Sequence, residues 1–267
     1  MKKIFTSFIF ILLFACNSKQ KQQDSTITET KEEIPTEKII AKNSKPDAVN
    51  YQISIYDNPK AVDQIMNHKE SLKQLSEKNI FLDIHTKLLQ KLPEEQQSFF
   101  QKNPDYELLS LAEGSLFEEN SNDFAFIVYD KKKVKISIVV YNATTSKYAL
   151  IFQDIKVVNG IKDGDCNSSS FGTFDYQFAL DFFIYNQDYL EKSTASYLEY
   201  PNLKITDISK DKDFVLNKGC FSKKVSKTNL AHTLCIATSS VYSNWDCLRY
   251  DKTNNTFLIF YTQAFAD

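Results

Sequence analysis

Beyond residue 16, the side chains best suited to chemistry are three histidines and four cysteines: His68, His85, His232, Cys166, Cys220, Cys235 and Cys247. Asp83-Ile84-His85 has the residue types of an acid–base pair. At i, i+2 on a helix, however, the two side chains do not face each other. His68 falls in a helical stretch and is expected to face solvent. No CxxC pair occurs, and His232 lies three residues before Cys235, so a thiolate zinc site is not expected. Asp163-Gly164-Asp165-Cys166-Asn167 places oxygen ligands at alternate positions, as calcium loops do. Ser168 stands where an EF-hand needs Gly and Phe174 where it needs Glu, so a turn is the better reading. GxSxG, HExxH, P-loop and GxGxxG patterns are absent, and five glycines leave little material for phosphate-cradling loops. No metal or cofactor is expected.

Carboxylates offer a hydrolytic alternative. Asp175 and Asp181 share the polar side of one apparent strand, but six residues of strand separate them by about 20 Å. Each would need a partner from another strand.

The start of the chain speaks of location. Lys2 and Lys3 precede an apolar run from Ile4 to Phe14, broken only by Thr6 and Ser7. At about eleven residues it falls short of the roughly twenty that span a bilayer, but suits a signal-peptide core. Leu13-Phe14-Ala15-Cys16 follows, then the polar Asn17-Ser18-Lys19-Gln20. This arrangement resembles the lipobox of bacterial lipoproteins. The resemblance implies a signal peptide over 1–15, a diacylglycerol-modified Cys16, cleavage before it and acylation of the new N-terminus. Asn17, where an Asp would imply inner-membrane retention, implies the outer membrane. Several acyl chains hold a protein stably at a membrane where one binds only marginally.

Residues 16–50 read as a lipidated flexible tether rich in Gln, Lys, Glu, Ser and Thr, reaching roughly 30 Å. A globular domain is expected over 51–267. The four downstream cysteines are then disulfide candidates, because exported proteins fold in an oxidising compartment. Cys220 and Cys235 could pair across one hairpin, or Cys235 and Cys247 across the next, and spacing does not choose.

Asn58-Pro59 predicts the start of a helix running to about Lys78, Ile84 to Leu92 a second, and Glu94 onward a short third, giving a helical segment over 58–103. From 105 the period becomes two. Phe124–Tyr129 and Val134–Val140 flank a turn, Tyr148–Val158 reads as the next strand, and Thr173–Tyr185 as a long one. Trp245–Tyr250 and Thr256–Tyr261 form a terminal hairpin around residues 252–255. The expected fold is α+β, a short N-terminal helical segment followed by an antiparallel β meander forming a curved sheet, sandwich or partial barrel.

The stretch Gly114 to Asp130 is similar to the FG-GAP-like segment of many bacterial lipoproteins, in which an Asp-rich loop leads into a hydrophobic strand. Here Ser115, Phe117 and Asn120 replace its Asp, Asn and Gly, while Glu119, Asn122 and Asp123 keep oxygen side chains. The resemblance implies a strand-rich extracytoplasmic module. Among the many aromatics, Trp245 in Ser243-Asn244-Trp245-Asp246 is the candidate for an exposed ligand contact.

With 32 basic against 34 acidic residues and a net charge of -2, the chain lacks the basic surplus of a nucleic-acid binder. The expected function is that of a lipid-anchored, non-enzymatic envelope protein whose domain binds a protein or a glycan. The alternatives are an extracytoplasmic carboxylate hydrolase and an immunity or inhibitor lipoprotein.

Overall fold

The computed structural model describes residues 49–50, 62–160, 180–184, 187–216, 230–237 and 244–263. They form an α+β fold of five helices and two sheets. Helices α1 (Val62–Glu77), α2 (Ile80–Leu89) and α3 (Glu94–Lys102) come before the long strands. In α2, apolar residues at helical spacing bury Ile80, Phe81, Ile84 and Leu88 along one stripe. Glu94 and Glu95 occupy the first turn of α3 and Lys102 its last, which suits the helix dipole at both ends.

The four-stranded sheet is a plain meander, β2 (Tyr106–Gly114), β3 (Asp123–Asp130), β4 (Lys135–Asn142) and β5 (Lys147–Leu150), in that spatial order. All of β3 is buried, as befits an inner strand covered on both faces. Phe126 meets the Phe100 ring of α3 edge-on at 5.4 Å. Tyr129, facing the other way by alternation, packs against Phe81 of α2 at 4.9 Å.

The second sheet has six strands in the order β1-β6-β10-β9-β8-β7. Its members are β1 (Val49–Asn50), β6 (Lys156–Asn159), β7 (Leu203–Thr206), β8 (Thr233–Ala237), β9 (Trp245–Asp251) and β10 (Thr256–Gln263). The β9–β10 hairpin stands where alternation places it, with Asn255 in left-handed backbone at φ 50° closing the turn. The sheet is not a meander throughout, because β10 pairs in parallel with β6. Nearly a hundred residues of sequence separate these neighbours, and no local pattern announces their pairing.

Two expected strands are corrected. The stretch 148–158 is two strands in different sheets, β5 in the first and β6 in the second. Phe152, in left-handed backbone at φ 75°, turns the chain between them. The Asp154 carboxylate closes that turn by accepting the Leu150 N–H at 2.7 Å. The long strand predicted over 173–185 fails where it can be checked: Leu180–Ile184 is helix α4, and residues 173–179 and 185 lie outside the described residues. Nearly every residue of Leu180-Asp181-Phe182-Phe183-Ile184 is apolar, so its period is ambiguous. Burial of both neighbours Phe182 and Phe183 is what a short helix wedged against other helices allows. Phe183 meets Phe81 edge-on at 5.7 Å and Tyr197 of α5 (Thr194–Glu199) at 5.8 Å. Asp181 therefore does not sit on a strand, and Asp175 lies outside the described residues.

The sheets approach each other where β2 passes β7. A Cβ on Gly114 would come within 2.8 Å of Ile205 Cγ2 and 3.4 Å of the Ile205 carbonyl. Glycine at 114 is what lets the two strands come this close.

Candidate functional site

The loop after β2 is organised by one carboxylate. Asp123, fully buried at the start of β3, accepts the N–H groups of Leu116 at 2.8 Å and Phe117 at 2.9 Å on Oδ2. The Ser121 hydroxyl donates to the same oxygen, and Oδ1 accepts Ala143 N–H at 2.8 Å. Donors thus ring both of its oxygens. A cation would meet N–H groups there, so the loop is held by hydrogen bonds. Asn120 supplies left-handed backbone at φ 61°. From the ordered loop, Glu118 reaches Lys252 of the β9–β10 turn at 2.7 Å and Thr144 of the β4–β5 turn at 3.4 Å. Phe117 packs edge-on against Tyr250 at 4.8 Å. Three turns thus converge in a polar rim of Glu118, Thr144 and Lys252 over an aromatic base.

A second cluster lies on β7. Lys204 Nζ contacts both oxygens of Asp211, at 3.2 and 3.0 Å, and Asp213 Oδ2. It also stands over the rings of Trp245 at 5.4 Å and Phe214 at 5.7 Å. The side chain is 17% exposed. Burial pushes the Asp211 carboxyl up, but the Asp213 N–H, the Lys204 ammonium and the Thr206 hydroxyl outweigh it and hold it below the ordinary carboxylate range. Nothing in the sequence marked Lys204, Asp211 or Asp213. Their types are common on any surface, and only the return of the 207–216 segment brings them together.

Trp245, expected at an exposed turn, is buried at the head of β9 with Phe214 at 5.6 Å. Trp245 is already the first residue of β9, paired with Ala237 and Gln263, and its side chain is buried. It offers no flat surface to a ligand.

A third cluster gathers at the seam of α2 and β2. His85 Nδ1 accepts the Leu108 N–H at 2.9 Å. Burial and then the Lys131 charge hold its pKa below the ordinary imidazole value. Asp83 points to solvent, away from this contact. Glu107, next to Leu108 and buried, has Oε1 at 3.5 Å from Lys131 Nζ, while Oε2 has no hydrogen-bond partner among the described residues. Burial raises the Glu107 pKa, with Lys131 opposing. Elsewhere, His232 Nδ1 meets the Ser115 carbonyl at 2.7 Å, which makes this nitrogen the donor. His68, expected to face solvent, is half-buried in α1.

Of the cysteines, Cys235 and Cys247 are joined. They are directly opposed on β8 and β9, and both are fully buried. Register decides what spacing left open. Cys16, Cys166 and Cys220 lie outside the described residues, as does the 163–168 turn. Among the described residues, no group of three or more His, Cys, Asp or Glu is placed to hold a metal ion. No described helix is long and apolar enough to cross a membrane.

Compared with known protein families, with curated proteins and with solved structures, the chain matches none.

Proposed function

We propose that the chain is a bacterial lipoprotein, acylated at Cys16 on the outer membrane, whose folded body, which takes in β1 at Val49–Asn50, stands off on the tether before it and binds a protein or a glycan. The proposed body is a helical segment followed by a strand-rich module, and its binding face is the rim built from residues 115–122, 143–146 and 251–255. The observation that carries the binding reading is the ordering of this rim. A buried carboxylate and a partly buried aromatic base fix three turns whose outer side chains stay polar. A preordered loop cluster loses little entropy on association. The reading is further supported by the groups that could act in proton transfer, since His85, His232 and Lys204 each hold a bond within the fold. The Cys235–Cys247 bridge fits folding in an oxidising compartment.

The test is crosslinking in intact cells followed by purification from detergent-solubilised envelope, with a glycan array probed in parallel. The full chain should recover the same partner in replicate preparations, and E118A/K252A should lose at least about tenfold of it, the share of binding energy typical of one or two central contacts. Equal recovery by both proteins would remove the rim from the reading. Recovery of nothing by either would remove the binding function.

A further inference from the structure

We propose that His85 is an acid-operated latch that holds α2 over the open edge of β2. The strand β2 is the terminal strand of its sheet, and an edge strand presents backbone donors and acceptors that must be satisfied or covered. The register with β3 slips between Leu108 and Ser110, so the ladder is already interrupted there. At that slip the Leu108 N–H leaves the sheet and donates to His85 Nδ1 on α2 at 2.9 Å. Leu108 is fully buried, so no water stands ready to replace the acceptor. The only acceptor imidazole has is an unprotonated nitrogen, which places the ring proton on Nε2. When the ring takes up a second proton, both nitrogens become donors, and the Leu108 N–H then faces another N–H in a buried place. The closed seam loses its bond and gains an unpaired charge, while the open seam lets the imidazolium reach water.

The surroundings oppose the charged ring in the closed seam. Phe100 of α3 lies edge-on to the imidazole at 5.8 Å, closing one side with an apolar ring. The described charged and titratable groups on the packed elements are Tyr106, Glu107 and Glu113 of β2, Asp123, Tyr129 and Asp130 of β3 with Lys131 after it, Glu94, Glu95 and Lys102 of α3, His68, Lys69, Glu70, Lys73 and Glu77 of α1 with Lys78 after it, and Tyr197 and Glu199 of α5. Asp83 and Lys87 lie on α2 itself. Among these, Lys131 acts directly on the ring and opposes its charging. Glu107 could have supplied the balancing anion, but its burial favours the neutral acid as pH falls. Burial and Lys131 are the influences that act on the ring, and both oppose the imidazolium. Glu107 itself is kept protonated more readily by the fold, which slightly favours closure in acid. The ring works against that contribution.

The experiment is hydrogen exchange on the full chain from pH 7.5 to 4.5, with protection factors corrected for intrinsic exchange. The Leu108 amide is compared with the Ile127 amide of the central strand β3. Leu108 protection should fall about tenfold per pH unit below about pH 6.5, the free imidazole value, until the closed ring itself titrates. Ile127 should not follow. H85Q, which keeps a side-chain carbonyl acceptor without a titratable proton, should abolish the pH dependence. K131Q, which leaves the bond in place but removes the opposing cation, should raise the pKa of the closed ring and so end the fall of Leu108 protection at a higher pH. The proposal is overturned if Leu108 and Ile127 lose protection together, if H85Q keeps the same pH profile, or if K131Q leaves the profile unmoved.

Discussion

At the scale of single residues, the buried polar side chains act mainly as acceptors for backbone that has nowhere else to bond. Asp123 takes donors from Leu116, Phe117 and Ala143 as well as the Ser121 hydroxyl. Asp123→Ala would leave three N–H groups without their acceptor, and orphaned donors of this kind cost about 1–3 kcal/mol each. Partial relaxation toward water brings the expected loss to about 3–5 kcal/mol, read as a lower urea midpoint with an unchanged slope. Lys204 supplies a pH signature. Asp211 has a depressed carboxyl in the fold, so its contribution is present above the unfolded carboxylate pKa and disappears as pH falls through the folded value. K204M should therefore flatten the acid limb of the stability curve below about pH 4, measured by urea unfolding at stepped pH. An acid limb identical to that of the parent would show that the ammonium is too well screened to matter.

Elements are held to one another by a few positions where the backbone allows no latitude. Gly114 passes Ile205 so closely that a methyl group would require β7 to move. Gly114→Ala should cost about 1–3 kcal/mol, in the range of overpacked interiors. Adding Ile205→Ala should recover part of that loss, a coupling that a double-mutant cycle reads directly. The Cys235–Cys247 bridge joins β8 and β9 across a separation of 12 residues. A loop of that size limits the unfolded chain by about 3 kcal/mol in the chain-entropy treatment. C235A/C247A should unfold at correspondingly lower denaturant, and a reducing agent added before unfolding should lower the parent's midpoint by more than the variant's, by about the difference between the two.

At the scale of the whole molecule, a four-stranded meander runs directly into a six-stranded sheet through a tight turn at residues 151–155. The proposed lipid attachment lies on the far side of the tether from this body, so the two should be separable. C16S is expected to move the protein from the detergent phase to the aqueous phase on cloud-point partition, without changing the thermal midpoint of the folded body. A C16S protein that stays in the detergent phase would mean that something other than acyl chains holds it at the membrane.

Local pattern was enough for α2, α3, β3, β4 and the β9–β10 hairpin. Their spacing of apolar residues and their turns involve neighbours a few positions apart, and secondary structure of that kind is settled by short-range sterics and the pattern of burial. Other features depended on which distant segment arrives alongside. Pairing of β10 with β6, the sheet change after Leu150, the helical state of Leu180–Ile184 and the burial of Trp245 were decided by packing between residues far apart in sequence. The same holds for the clusters around Lys204 and His85. The choice of Cys247 as partner for Cys235 followed from strand register. Composition and short-range spacing carry the periodicity of an element, whereas its neighbours are set by the balance of burial and hydrogen bonding over the completed tertiary structure.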